Sequence, residues 1–287
     1  MNQSLAESHP TDKGLAPLFR WAGSKRKLLA EILKHVPASY ARYIEPFSGS
    51  ACLFFALRPR MAILSDLNDE LIHAYMVIRA HPKLLHGAVS TMPLSEAYYY
   101  ALRDESPDDL ADLARAARFV YLNRGCFNGV YRTNRHGHFN VPRGKRPGAI
   151  PQQTHFVRCA NALKCAELLS GDFQLAVSRA EAGDFVYLDP PYAKRDSRRR
   201  GEYGYASFDT PDLVRLAQSL QDLDKKGAIF LLSYADCREI REISRRWCKR
   251  TIFVRRHVAG FCQHRTVVRE LLVSNRSLNP APAPKER

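Results

Sequence analysis

The chain has 287 residues, 45% of them apolar, and its 44 Lys and Arg against 29 Asp and Glu leave a formal charge of +15. That composition excludes disorder over the whole length, and no apolar run approaches the roughly 20 residues of a bilayer-spanning helix. The basic excess predicts an anionic partner, and seven cysteines with no two-residue spacing predict reduced packing thiols rather than a metal or disulfide framework.

The ends, residues 1–16 and 277–287, are polar or Pro/Ala-rich and are expected to be disordered, with no signal-peptide core at the start. Residues 42–47 (RYIEPF) end in a small-residue turn, Ser48-Gly49-Ser50-Ala51, followed by CLFFAL, which reads as strand, tight turn and helix. Residues 61–65 (MAILS) form a short buried strand that stops at Asp66. From Leu71 to about Ala117 the spacing is helical, and residues 123–148 read as an ordered loop or hairpin with its turn at 134–137. Strand-like runs resume at 184–188, 228–234, 251–254 and 270–274, with a helix over 211–223. Buried strands alternating with helices predict an α/β, doubly wound Rossmann-like sheet. Residues 17–70 and 155–276 would form it, and 71–154 would be a mainly helical insert.

Charge is unevenly placed. Residues 113–166 hold no acidic residue but ten basic ones, interleaved with Phe119, Tyr121, Phe127, Tyr131, Phe139 and Phe156 and with four asparagines. Arginines for phosphates and base edges, amides for adenine and aromatics for stacking predict a nucleic-acid surface. Two more basic clusters follow, at 194–200 just after a Pro-Pro-Tyr and at 245–256; the first reads as a loop flanking a site or a solvated run.

Three segments carry chemistry. The small-residue turn lets a ligand approach the backbone at Gly49, and Asp66, 17 residues on, stands where such a fold places an acceptor for ribose hydroxyls. Asp189-Pro190-Pro191-Tyr192 ends an apolar strand with a carboxylate, a stiff backbone whose carbonyls lack competing amide donors, and an aromatic face. That set suits an amino group on a planar ring, with Asp189 and the Pro190 carbonyl as acceptors and Tyr192 stacked on it. Near the start, Trp21 beside Gly23 and Lys25 could stack on and neutralise a carboxylate-bearing ligand.

In this order, the segments FRWAGSK, YIEPFSGSACLF, LSDLNDELI, YLNRGCFNGVYRTNRHGHFNVPRG, GDF, DFVYLDPPY and RRHVAGFCQHRTVVRELLVSN resemble the Dam-type DNA adenine methyltransferases, from about Leu18 to Ser274. The resemblance implies methyl transfer from S-adenosyl-L-methionine to adenine N6 in duplex DNA, without a metal. It implies that Trp21 and Lys25 contact the methionine end of the donor, Asp66 its ribose, and Asp172 and Phe173 its adenine. Glu45 and Gly49 would line the same pocket, and Asp189 would lie between donor and target base. For DNA it implies Phe127 as an aromatic wedge and Arg20, Val130, Arg132 and Pro142 as base-reading positions, with Arg124 and Asn128 in the same loop. Many relatives carry a second glycine in the turn, Tyr at the wedge and Lys in place of Arg20, and many methylate GATC. A soluble, cytoplasmic monomer of bacterial or phage origin, acting on nucleoid DNA, is expected, and a cognate restriction endonuclease is a partner that the resemblance allows.

The acceptor pair would equally suit cytosine N4, against which the collinear insert speaks. Amide methylation more often uses Asn-Pro-Pro-Tyr. A catalytically silent DNA-binding module would not need Lys25, Asp66 and Asp189 intact, and a donor-binding titration separates it from an enzyme.

Overall fold

A computed structural model describes residues 14–192, 208–257 and 265–278, with 254–257 and 265–268 described by backbone alone. The basic run 194–200 and part of the last motif lie outside the described residues. Helix α1 (Leu29–Leu33) precedes strand β1 (Tyr43–Glu45), helix α2 (Cys52–Leu57) and strand β2 (Ala62–Asp66). Helices α3 (Asp69–Ala80), α4 (Pro82–Ser90), α5 (Glu96–Asp104) and α6 (Asp112–Gly125) follow, then an irregular loop and α7 (Gln153–Leu163). The second half runs β3 (Ala166–Ser170), α8 (Phe173–Ser178), β4 (Phe185–Leu188), α9 (Thr210–Lys226), β5 (Ile229–Ala235), α10 (Arg238–Ile243), β6 (Cys248–His257) and β7 (Arg265–Ser274).

The strands form one seven-stranded sheet in the order β3-β2-β1-β4-β5-β7-β6. The first five are parallel, while β7 pairs antiparallel with both β5 and β6. Strand order therefore reverses between β1 and β4, where Tyr43 lies beside Phe185 and Ile44 beside Val186. Alternation along the strands sends Tyr43, Leu64, Phe185, Tyr187 and Leu231 to one face and Ile44, Ile63, Val186, Leu188 and Leu232 to the other. Both faces are buried, as a doubly wound sheet requires. Helices α8, α9 and α10 cover the second face.

Local chemistry fixes the helix ends. Asn68 caps α3 by accepting from the Leu71 amide at 3.1 Å. Asp209 and Asp212 form a reciprocal capping box on α9, which stops at Gly227 with φ 78°.

The helical stretch differs from the expectation in one respect. Helix α3 starts before Leu71, and Leu71, Ile72 and Tyr75 pack in one continuous core with Tyr43, Leu64, Phe119 and Phe156. Helices α3 to α7 thus share their apolar core with the sheet instead of enclosing a separate one. Strand β3 was not evident from the sequence because it is an edge strand with Glu167 and Ser170 exposed, which dilutes its apolar signal. Leu15 and Leu278, assigned above to the tails, pack against the core.

Candidate functional site

The carboxyl ends of β3, β2, β1 and β4 lie side by side, and each leads into a segment singled out in the sequence. In open α/β sheets ligands bind outside those ends, at the point where strand order reverses. With neighbouring strands about 4.8 Å apart, the run from β3 to β4 extends about 15 Å. After β1, Gly49 turns with φ +46°, and a Cβ there would meet the Trp21 indole at 2.7 Å. The turn is tied from three sides. Its Gly49 amide donates to Asp66 Oδ2 at 2.8 Å, its Gly49 carbonyl accepts from the Tyr75 hydroxyl at 2.9 Å, and the Ser48 amide donates to the Ser65 carbonyl at 2.8 Å. Asp66 Oδ1 accepts from the Asn68 amide at 3.0 Å. Desolvation raises the Asp66 carboxyl to about 6 against the pull of those amides.

Asp172 and Phe173 follow β3, and the Gly171 amide bonds the Asp66 carbonyl at 3.0 Å, which brings the two acidic positions to neighbouring strand ends. Asp172 is already engaged, since its Oδ1 caps α8 at the Gln174 amide and pairs with Arg215 at 2.5 Å. Phe173 is buried, stacked on Phe47 at 5.1 Å with the Arg215 guanidinium over its ring.

After β4, Asp189 Oδ1 accepts from Lys25 Nζ at 2.5 Å, with Lys25 5% exposed overall. Burial alone would lower the Lys25 pKa, but the charge of Asp189, supported by Tyr192 and Glu270, outweighs it and raises it. Lys25 therefore stays an ammonium at any ordinary pH. Its Nζ lies 5.4 Å from the Tyr192 ring centroid. The Tyr192 hydroxyl donates to Glu270 Oε1 at 2.9 Å, and its ring meets Tyr234 edge-on at 5.1 Å. Glu45, at the end of β1, is 3% exposed and accepts from the Tyr43 hydroxyl at 2.9 Å. Burial pushes its carboxyl well above the usual range, against the hydrogen bond from Tyr43.

Residues 126–143 form the ordered loop rather than a stranded hairpin, pinned by two isolated antiparallel bridges, Cys126 with Arg143 and Thr133 with Phe139. The Phe127 amide bonds the Pro142 carbonyl at 2.9 Å, the Asn140 amide the Arg132 carbonyl at 3.1 Å, and the Gly137 amide closes the turn on Asn134 at 3.0 Å. Phe127 is 46% exposed at the start of this loop, next to Asn128 with φ 54°. Gly129, with φ +66°, packs so closely on Arg20 that a Cβ would come within 2.4 Å of it. Asn123 clamps the two segments by accepting from the Arg20 amide at 3.0 Å and donating to the Arg20 carbonyl at 2.7 Å. Arg20, Phe127, Val130, Arg132 and Pro142 are thus gathered on one part of the molecule, with Arg132 oriented by Asn140 Oδ1 at 2.8 Å.

A model of the D12 class N6 adenine-specific DNA methyltransferases matches residues 21–258. The chain belongs to that family. It is an adenine-specific DNA methyltransferase with the Rossmann-like sheet of such enzymes. Among its relatives, the type II methyltransferase M1.LlaDCHI of Lactococcus lactis subsp. cremoris is 34% identical over 275 residues, covering 91% of this chain and 95% of the relative. The type II methyltransferase M.MjaIII of Methanocaldococcus jannaschii is 34% identical over 241 residues, 76% of this chain and 83% of the relative. The DNA adenine methylase of Escherichia coli K12 is 29% identical, covering 93% and 98%.

The methyltransferase uses its basic stretch differently from the expectation. Arg118 is buried and bonds the Leu102 and Arg103 carbonyls, Arg115 pairs with Glu70, and Arg143 bonds the Leu94 carbonyl. Arg124 donates to the Ala149 and Leu18 carbonyls, which makes it a structural staple. Phe119, Tyr121, Phe139 and Phe156 are core residues. Arg135, Lys145 and Arg146 are exposed in the same acid-free segment of the sequence as Phe127.

Sequence reasoning also missed Glu270. The signal was available, as a charged residue opening the otherwise apolar run ELLVS. Buried Oγ atoms of Ser48 and Ser65 and the Tyr187 hydroxyl have no hydrogen-bond partner among the described residues, and all three sit beside the turn, Asp66 and Asp189 in sequence. Among the described residues no group of His, Cys, Asp and Glu could hold a metal ion, and no helix is long and apolar enough to cross a membrane.

Proposed function

We propose that the methyltransferase binds S-adenosyl-L-methionine along the carboxyl edge of the sheet and methylates an adenine rotated out of duplex DNA. The observation that carries this reading is Asp189 at the end of β4, beside the point where strand order reverses, held by the buried ammonium of Lys25. When bound, S-adenosyl-L-methionine supplies a sulfonium-activated methyl group. Asp66 would accept from the ribose hydroxyls, Trp21 and Gly49 would wall the pocket, and Phe173 with Asp172 would border the adenine ring. Lys25 would face the carboxylate of the methionine tail.

The adenine amino nitrogen is a poor nucleophile because its lone pair is delocalised into the ring. Asp189 and the Pro190 carbonyl would accept its two hydrogens, which favours a tetrahedral nitrogen with the lone pair exposed for direct displacement at the methyl carbon. Asp189, paired with the Lys25 ammonium, would take the proton that the nitrogen sheds afterwards. Tyr192 would stack on the extruded base, worth about 1–3 kcal/mol by analogy with base–aromatic contacts. Phe127 would fill the gap left in the duplex and offset the roughly few kcal/mol of unstacking.

Arg20, Val130, Arg132 and Pro142 would read base edges, Asn128 would act beside the wedge, and GATC is the first sequence to test. Because the donor edge and the loop carrying Phe127 belong to one chain, the protein would act as a monomer. The type II enzymes among the relatives make a cognate restriction endonuclease the partner to look for, in the cytoplasm where chromosomal or phage DNA lies. Single-molecule sequencing of DNA from a methylation-free host expressing the chain tests the whole reading. The expected result is N6-methyladenine in one short context; N4-methylcytosine, or no modification, would overturn it.

A further inference from the structure

We propose that Glu270 is a positioning residue for methyl transfer: it fixes the Tyr192 ring through the hydroxyl and takes over the Lys25 ammonium when the adenine amino group occupies Asp189. This rests on Asp189 being the amino acceptor.

Glu270 is 1% exposed, on antiparallel β7 opposite Ala235 of β5, and is followed by the fully apolar Leu271, Leu272 and Val273. A carboxylate at such a place is costly unless paired and hydrogen-bonded, and one that serves only packing is better replaced by an apolar residue. Three of its contacts lead into the site. Oε1 accepts from the Tyr192 hydroxyl at 2.9 Å, Oε2 accepts from the Ser233 hydroxyl at 3.3 Å, and Oε2 stands 3.9 Å from Lys25 Nζ.

Two consequences follow from that geometry. The Tyr192 ring is held at its far end by Glu270 and on its flank by Tyr234, so its tilt is set before any base arrives. Preorganisation of this kind matters because misplacement by about 1 Å can cost about 100-fold in rate. The second consequence concerns Lys25. Its ammonium contacts Asp189 Oδ1 at 2.5 Å, an oxygen that an amino hydrogen would also approach. A lysine with one carboxylate partner would compete with the substrate for it. With a second carboxylate 3.9 Å away, the ammonium can lean towards Glu270 without losing its charge partner. No bond is made or broken in this exchange; one hydrogen-bond donor replaces another on Asp189.

Two substitutions separate the functions. Glu270→Gln keeps an oxygen for the Tyr192 hydroxyl and removes the charge that draws Lys25. Tyr192→Phe keeps the ring and removes its tether. Single-turnover methyl transfer at saturating DNA and S-adenosyl-L-methionine is the readout, together with dissociation constants for both, thermal melting, and fluorescence of a duplex carrying 2-aminopurine at the target position. In Glu270→Gln the rate should fall about 10- to 100-fold with both dissociation constants and the melting temperature unchanged. In Tyr192→Phe the fall should be smaller, with brighter 2-aminopurine as stacking loosens, and the double variant should lose less than the product of the two. A Glu270→Gln variant with the parental rate, or one whose loss lies in donor affinity or melting, overturns the proposal. Should Glu270→Gln fail to fold, Tyr192→Phe decides, and parental rate and fluorescence there overturn it. Asp189→Ala distinguishes the underlying reading: if that variant still methylates, the acceptor is wrong, whereas an inert Asp189→Ala beside a fully active Glu270→Gln removes only the role of Glu270.

Discussion

Around Asp189, polar groups are held from within the protein before any ligand is present. Lys25 is buried against Asp189, Tyr192 is tethered to Glu270, and Asp66 accepts from the Gly49 and Asn68 amides. In the 126–143 loop the backbone is tied together, but Phe127, Asn128 and Pro142 are exposed. The difference follows from what each region handles. A methyl transfer needs fixed geometry in a site of low polarity, where fields are strong and reorganisation is costly. A duplex surface is polar and long, so its reader needs exposed donors on a loop whose backbone alone is rigid.

Substitutions in the two regions should therefore fail in different ways. The largest effect belongs to Asp189→Ala, which should lower methyl transfer by about 10³-fold or more while leaving folding and most non-specific DNA affinity intact. Filter binding and melting beside a methylation assay check this, and a fully active variant would remove Asp189 from the chemistry. Next, Arg132→Ala should relax sequence preference by about 1–3 kcal/mol at one base pair. Competition among single-mismatch duplexes measures it; a uniform loss over all sequences would make Arg132 a phosphate contact instead.

A third experiment uses pH. Asp66 titrates near 6 in the folded protein, above the ordinary aspartate range. The folded state thus holds a proton there that the unfolded chain releases. Its contribution to stability is fully present below the ordinary range and is lost as pH rises through about 6. Donor binding runs the opposite way, because ribose hydroxyls need the ionised acceptor. Affinity for S-adenosyl-L-methionine should fall by up to about tenfold per unit below that pH. Calorimetric titration across that range should show the slope in the parent and a flat, weaker profile in Asp66→Asn; an identical slope in the variant would assign it to another group.

The smallest expected effect sharpens the comparison most. The sequence placed Arg124 in the loop, but it lies in the last turn of α6 and bonds the Leu18 and Ala149 carbonyls. Arg124→Ala should cost about 1 kcal/mol of stability, readable in urea unfolding, with no change in sequence preference. A shift in preference without a stability loss would return Arg124 to the DNA interface.

Legibility differed by kind of feature. Strands β1, β2, β4 and β5 were visible because parallel strands buried on both faces leave unbroken apolar runs, and the turn of the ordered loop because Asn134 and Gly137 mark it. Strand β3 and the shared core of α3 were not, since an edge strand with exposed Glu167 and a helix packed on two partners have no distinct pattern. The aromatic residues of the basic stretch looked alike in sequence, but Phe127 is exposed while Phe119 and Phe156 are buried.

What the sequence alone determined was the chemistry available: a carboxylate before two prolines, an acidic residue after a glycine turn, an aromatic in a basic loop. Those depend on residue type and local backbone, which the chain carries wherever it folds. The tertiary structure decided which charges meet. Lys25 and Asp189 are 164 positions apart, and Tyr192 and Glu270 are 78 apart. Such pairs are set by the strand order at the centre of the sheet and by the antiparallel return of β7, which no local pattern encodes.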